Sequence, residues 1–455
     1  MQTLYRHLLW TLLAATVSIA PAAYAQKTYA PTQVGIDAGS VTAIGHWLIQ
    51  DSSKAQQDGS DISTAGYSTK GWYPASGRAT VMAGLLENGA YKNDVFYSDN
   101  LRAVQVPESS GNLFVTPWWY RAQFMLAKVG KDRHTLLRTN GMIANADVWV
   151  NGHLVGEIAG AYPVYDFDVT PWVHAGTNTL AMQVHPADPR VSLSMGWVDW
   201  NPTPPDNNMG PWRGVDILQA GPVQLSFPEV LSTPSLPDLT RATLTAKVTA
   251  KNLDTVAHDA TVSGTVAGIA IEQTIHLAPG QTQVISFSPD STPGLSLDHP
   301  KIWWPIGMGD HPLYKLEITA AVDGSTSDRA TATFGIRSVT SNLTKHGYRQ
   351  FFINGKPVLI RGGGWAPDMF LRDDPARMEA EFSYVVNLGL NTIRSEGKLE
   401  SQRFYDLADR NGIMILPGWE CCDKWESAAK TGGAPWDAAD MKVAEDSMAS
   451  EARLL

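Results

Sequence analysis

Ile413-Met414-Ile415-Leu416-Pro417-Gly418-Trp419-Glu420-Cys421-Cys422-Asp423-Lys424-Trp425 ends a run, begun near Gln350, that reads strand, helix, strand, helix, strand. Working back from it, Phe404, Leu407 and Ala408 form the inner stripe of a helix closed by Asn411-Gly412, and Thr392-Ile393-Arg394 is a short strand leaving through Ser395-Glu396-Gly397. Before that, Met378, Phe382, Val385 and Val386 mark a helix over 374–388 that Gly389 stops. Val358-Leu359-Ile360 suits a buried strand that ends in Arg361-Gly362-Gly363-Gly364-Trp365. Strands alternating with helices of this length predict parallel βαβ units, whose functional groups sit where strands end. Three such exits gather Trp365 and Asp368, then Glu396, then Trp419, Glu420, Asp423 and Trp425. Flat apolar rings beside carboxylates suit a sugar, whose C–H faces stack on aromatics while its hydroxyls or amines take polar contacts.

The rest of the chain reads as support. Its 455 residues predict about three domains. The first, 26–228, is mostly β. Trp118 to Leu126 alternates faces, Asp147 to Gly156 is a hairpin turning at Asn151-Gly152, and Asp166 to Thr170 and Asn178 to Val184 keep the two-residue period. Many short strands with Gly/Pro turns predict a jelly-roll β-sandwich. The long Trp-rich loop from Gly196 to Arg213 is either functional or a domain contact. Pro228 to Pro237 reads as a linker. Beyond it, Ala242, Leu244, Ala246, Val248 and Ala250 alternate with Thr and Lys, opening an immunoglobulin-like β-sandwich over 229–339 without the cysteine pair. Lys301-Ile302-Trp303-Trp304-Pro305 suits an anchor between domains. The fold class is therefore multidomain β plus α/β, the two sandwiches preceding the start of an incomplete (β/α)8 TIM barrel over 340–455.

Residues 1–25 have the pattern of an export signal: Arg6-His7, an apolar run from Leu8 to Ala20, and Ala23-Tyr24-Ala25 before Gln26. The run is too short for a membrane span, so a secreted or periplasmic location is expected. The formal net charge of −10 fits either a cationic partner or the solubility of an acidic exported protein. No basic run with interleaved aromatics suggests nucleic acid. Gly362-Gly363-Gly364 is no dinucleotide fingerprint, because Pro367 stands where G-x-G-x-x-G needs glycine. Cys421 and Cys422, the only cysteines, could close only a strained ring and lack metal-ligand spacing. They are expected to be packed thiols, and no cofactor or metal is expected.

The hairpin Asp147 to Gly156, Gly210-Pro211-Trp212-Arg213, Ile302-Trp303-Trp304-Pro305, Phe334-Gly335-Ile336-Arg337 and Asn354-Gly355-Lys356-Pro357 before Arg361-Gly362 resemble, in this order, glycoside hydrolase family two. Arg394-Ser395-Glu396-Gly397 and Gly418 to Trp425 are most similar to its exo-β-D-glucosaminidase branch, which trims chitosan from the non-reducing end. The resemblance implies a polymer or oligomer of β-linked glucosamine as partner. An ammonium at C2 asks for an anion in the pocket, and Glu396 is the candidate; its alternative is a structural pair with Arg394 or Lys398. Glu420 and Asp423 line the subsite or serve as caps and domain contacts, while Trp365, Trp419 and Trp425 stack on sugar or pack in the core. The resemblance also implies two catalytic carboxylates about 5 Å apart on later barrel strands. None is expected before Leu455, because a complete barrel takes about 250 residues. The chain is thus expected to be the front part of a longer enzyme. Its other readings are a β-mannosidase or β-galactosidase of the same family, or a secreted sugar-binding protein built on the two sandwiches.

Overall fold

The computed structural model describes residues 29–454 apart from 92, 106–113, 195, 420, 423 and 425–434. The expected export signal and the candidates Glu420, Asp423 and Trp425 lie outside the described residues. Among the described residues, no helix is long and apolar enough to cross a membrane.

Two sheets form the first sandwich. One runs in the order 73–76, 46–51, 118–126, 176–184, 146–150, 153–158, with Thr32–Gln33 parallel beside Trp118–Leu126; the other runs 40–43, 215–220, 134–139, 165–168. Trp47, Tyr120, Phe124, Leu137, Val148, Leu180 and Ile217 fill the space between them. Trp118–Leu126 is buried on both faces along most of its length, because Ile62, Trp72 and Ala55 cover Trp119 from outside. The hairpin turns at Asn151 (φ 49°) and Gly152 (φ 89°), the two positive-φ positions of a type I′ turn.

The second sandwich packs a sheet of 223–234, 241–252, 282–287 and 296–298 on one ordered 269–277, 258–266, 314–322, 325–334. Ala242, Leu244, Ala246, Val248 and Ala250 all face its core. The expected linker is not one: Val223–Pro234 is a continuous strand paired with Arg241–Asn252. Its register shifts between Ser226 and Glu229, so Pro228 sits in a bulge where the ladder needs no N–H. The first sandwich therefore passes directly into the second.

An antiparallel hairpin sheet (339–343, 349–353, 356–358) leads into three parallel strands, β1 (Gly362–Trp365), β2 (Thr392–Ser395) and β3 (Met414–Leu416). The expected strand Val358-Leu359-Ile360 is corrected here. Val358 ends the hairpin, Leu359 and Ile360 are 72% and 40% exposed, and the parallel strand begins at Gly362. Two local forces move it. The Asn391 side chain takes the backbone of this stretch, donating to Leu359 O (3.0 Å) and accepting from Arg361 N (2.9 Å). At Gly362 a Cβ would stand 2.2 Å from Thr392 O, so close pairing with β2 requires glycine. The glycine run that was expected to be a strand exit is the strand.

Helix α1 (Pro375–Asn387) is capped by Asp374 and α2 (Gln402–Asn411) ends in a left-handed Gly412. They bury Phe382, Phe404, Tyr405 and Leu407 against Ile393 and Ile413. Trp303 is the expected anchor. Its ring is 2% exposed, its Nε1 donates to Asp409 O of α2 (2.9 Å), and the Arg337 guanidinium lies 4.7 Å above it. Helix α3 (Ala438–Leu454) turns toward the first sandwich, where Arg213 and Glu451 form a buried bidentate ion pair.

Candidate functional site

β2 delivers Glu396 to the sheet's C-terminal edge, where its side chain is 30% exposed. Arg394, also on β2, donates to Oε1 at 2.9 Å, and Trp200 Nε1 reaches Oε2 at 3.4 Å. The Arg394 hydrogen bond, helped by Trp200 and opposed by slight desolvation, holds the Glu396 carboxyl below its usual range. The pairing with Arg394 foreseen as the structural alternative therefore exists. It leaves the carboxylate charged and partly open.

Trp200 settles the long loop's role, because the loop is a domain contact and also reaches the site. Trp197 and Trp212 are buried and fix its two ends, while Trp200 is 58% exposed and projects from the first sandwich over the edge of the second β/α unit. The sequence places Trp200 in the long Trp-rich loop without singling it out. Its signal was an aromatic between two buried ones in a loop too long to be only a connection.

The exit of β3 adjoins that of β2. A Cβ on Gly418 would lie 2.6 Å from Ser395 O and 2.8 Å from Gly397 N, so the two loops touch backbone to backbone. Lys398, almost fully buried, donates to Cys421 O (2.9 Å) and ties them again. Trp419 thereby comes next to the Glu396 loop. It is half-buried against a cluster containing Ile143, Tyr162, Trp212 and Leu399, and its buried Nε1 has no hydrogen-bond partner. Cys421 and Cys422 correct the expectation of packed thiols, since they are joined as a vicinal disulfide. The bond spans one peptide and staples no loop, as adjacency requires. Asp199 brings its carboxylate within 4.8 Å of the two sulfurs, but bonded sulfurs offer no thiolate to a metal.

Trp365 and Asp368 face elsewhere. The Trp365 ring packs on Phe404 (5.1 Å) and Phe382 (5.9 Å) in the helix layer, and its Nε1 donates to Glu400 Oε1 (3.0 Å). Asp368 pairs with Arg372 (2.6 Å) and Arg377 (3.0 Å); burial works against its charge, but the Arg372 hydrogen bond and charge outweigh it and lower its pKa. Both residues line a cavity of about 280 Å³ between the first sandwich and α1, together with Arg78, Leu371 and Glu400. Glu400, which sequence reasoning missed, is buried, at 6% exposure. Burial pushes its pKa up despite donors from Trp365 and Ser401 N. Four residues beyond Glu396 in the same exit loop, it braces the wall behind the site. Arg213 Nη2 donates to Glu400 O (2.6 Å) and its guanidinium lies 4.4 Å over Trp212.

Of the seven expected site residues, Glu396 and Trp419 thus stand on exit loops that touch backbone to backbone, and Trp365 and Asp368 line the cavity beside α1. An ionised carboxylate at a strand exit, with one exposed and one half-buried indole near it, is equipped to hold a cation carried on a ring.

A family model described as "Glycosyl hydrolase 2 galactose-binding domain-like" matches residues 47–192, and one described as "Glycosyl hydrolases family 2" matches 229–337. The exo-beta-D-glucosaminidase of Streptomyces avermitilis is 44% identical over 430 residues, covering 93% of this chain and 47% of that protein. The enzyme of the same name from Amycolatopsis orientalis is 44% identical over 453 residues, covering 98% and 42%. The crystal structure of the Amycolatopsis orientalis exo-chitosanase CsxA superposes with a TM-score of 0.85 at 43% identity, covering 92% of this chain and 48% of that one. A variant of CsxA has been solved in complex with PNP-beta-D-glucosamine. A beta-D-mannosidase from Dictyoglomus thermophilum shares the fold at 21% identity and a TM-score of 0.68. The chain spans about half the length of the curated relatives it matches.

Proposed function

Because the chain belongs to glycoside hydrolase family two, we propose that it carries the substrate-recognising part of an exo-acting, retaining β-D-glucosaminidase that releases terminal glucosamine from chitosan-type oligomers. The observation that carries this reading is the Glu396 carboxylate: charged, open, and set between Arg394 and Trp200 where β2 ends. A glucosamine ammonium adds an ion pair to the hydrogen bond there, which a neutral 2-hydroxyl or acetamide cannot. Trp200 and Trp419 offer the sugar a flat face, and Glu420, Asp423 and Trp425, which follow Trp419 in sequence, are further candidates for the same subsite. Double displacement needs two further carboxylates about 5 Å apart, a role assigned to no described residue. Residues 1–25 would direct the protein to a secreted or periplasmic location.

The test is a chimera in which residues 29–454 replace the matching half of the Amycolatopsis orientalis enzyme. It is expected to hydrolyse p-nitrophenyl β-D-glucosaminide in preference to the β-mannoside and β-galactoside. Glu396→Gln in the chimera is expected to lower kcat/KM for the glucosaminide by about 10- to 100-fold, the worth of one hydrogen bond to a charged group. A folded chimera that prefers the mannoside, or one indifferent to Glu396→Gln, overturns the assignment.

A further inference from the structure

The seam between the two sandwiches holds a chain of acidic groups and imidazoles that the sugar site does not use. His134 lies on the strand His134–Thr139 of the first sandwich, with its side chain 13% exposed. Its Nδ1 is 2.9 Å from Asp168 Oδ2 of the same sandwich, and its Nε2 is 2.8 Å from Asp254 Oδ1 of the second. Asp254 Oδ2 in turn lies 2.7 Å from His258 Nε2, on the second sandwich's strand His258–Val266. Among the described residues, Asp168 and Asp254 are the titratable groups that face His134, with His258 behind Asp254.

Each aspartate is anchored by its own domain, Asp168 through its carboxylate and Asp254 through its backbone. Thr170 donates its backbone N–H to Asp168 Oδ1 (3.0 Å), and Thr170 Oγ1 accepts from Thr135 N (2.9 Å). Asp254 N donates to Oδ1 of the fully buried Asn252, whose Nδ2 binds Val256 O and Leu277 O. Beside them Leu253 N donates to Pro222 O (2.8 Å), the backbone seam of the two domains. An ionised carboxylate only accepts hydrogen bonds, and a neutral imidazole has one N–H. With carboxylate oxygens on both ring nitrogens, only the doubly protonated ring satisfies both contacts.

We propose that His134 is a proton-operated latch: as an imidazolium it clamps the first sandwich to the second between Asp168 and Asp254, and loss of its proton releases one side. Burial works against the charge, but the hydrogen bonds and charges of Asp168 and Asp254 outweigh it, and the pKa of His134 is raised above the ordinary 6.5. The sign follows from linkage. The latch is fully engaged below the unfolded value of about 6.5 and is lost as pH rises through the higher folded value.

Histidine C2-proton exchange read by mass spectrometry gives the pKa of each histidine in the intact chain without any substitution. His134 is expected to titrate above 6.5, and Asp254→Asn is expected to bring it down toward that value. In thermal melts from pH 6 to pH 9 the unsubstituted chain is expected to lose about 2–4 °C more than His134→Gln, which keeps a donor but cannot titrate. A His134 midpoint at or below 6.5 overturns the latch. So does a His134→Gln chain whose melting falls with pH as steeply as the parent's. If that variant does not fold, the exchange measurement on the parent and on Asp254→Asn decides.

Discussion

The two sandwiches and the β/α portion solve the same problem unequally. Each sandwich strand has its hydrophobic partner on a facing sheet, so Leu244, Val248 and Ile318 in one and Leu137 and Val148 in the other are sealed. The three parallel strands lie in a sheet that such folds cover on both faces. Helices α1 and α2 cover one of them, burying Phe382, Phe404 and Leu407 against Ile393 and Ile413. The β/α portion is also tied to its neighbours: Trp303 to α2, and Arg213 to α3 and the Glu400 loop. Each sandwich closes its core between its own two sheets, whereas the β/α portion adds to its own cluster buried contacts with both neighbours.

The largest effect that would test this contrast comes from Arg213→Met. Removing one partner leaves the Glu451 carboxyl buried beside an apolar side chain, a loss of about 3–5 kcal/mol. Limited proteolysis is expected to cut first within 340–454 while fragments carrying 29–337 persist. Simultaneous loss of both sandwiches would break the contrast.

A smaller effect, of ~2 kcal/mol, is expected from acidity inside the second sandwich. Burial, opposed by backbone donors at Leu225 and Arg329, raises the pKa of Asp328 to about 6. Its contribution is full below the ordinary carboxylate value near 3.8 and is lost as pH climbs through about 6. Denaturant melts of Asp328→Asn from pH 4 to pH 7 are expected to show a flatter pH profile than the parent. An unchanged profile would place the titration elsewhere.

The smallest effect is on the site itself. Glu396→Gln disrupts only a part-exposed ion pair with Arg394 and is expected to leave thermal stability essentially unchanged. A melt that falls by several degrees would make Glu396 a structural prop rather than an open binding group.

Most of the sandwich detail was legible because its signals are local. The two-residue period from Ala242 to Ala250 and the Asn151-Gly152 turn each need only a few residues, and both stand as read. The helices of the β/α portion were legible for the same reason, through the stripe of Phe382 and the Phe404–Leu407 pair. The errors arose where tertiary contacts outweigh pattern. Asn391 and Gly362 moved a strand past Val358-Leu359-Ile360, and a bulge turned a proline-bearing linker into Val223–Pro234. At the site, strand position was enough to foresee that Glu396 stands where β2 ends. Side-chain direction was not available from sequence, so Trp365 was grouped with it although its ring turns into the helix layer. Glu400 was invisible because its burial depends on Arg213 and Trp365, far from it in sequence.

Trp200 belongs to one body of the molecule and Glu396 to another, 196 residues further along the chain. A grip with its jaws on separate bodies has no fixed width of its own. Any tilt of the first sandwich against the strands widens or narrows the gap before it distorts either side. Tightness for a ligand is then set partly by the seams that hold those bodies still, well away from the jaws.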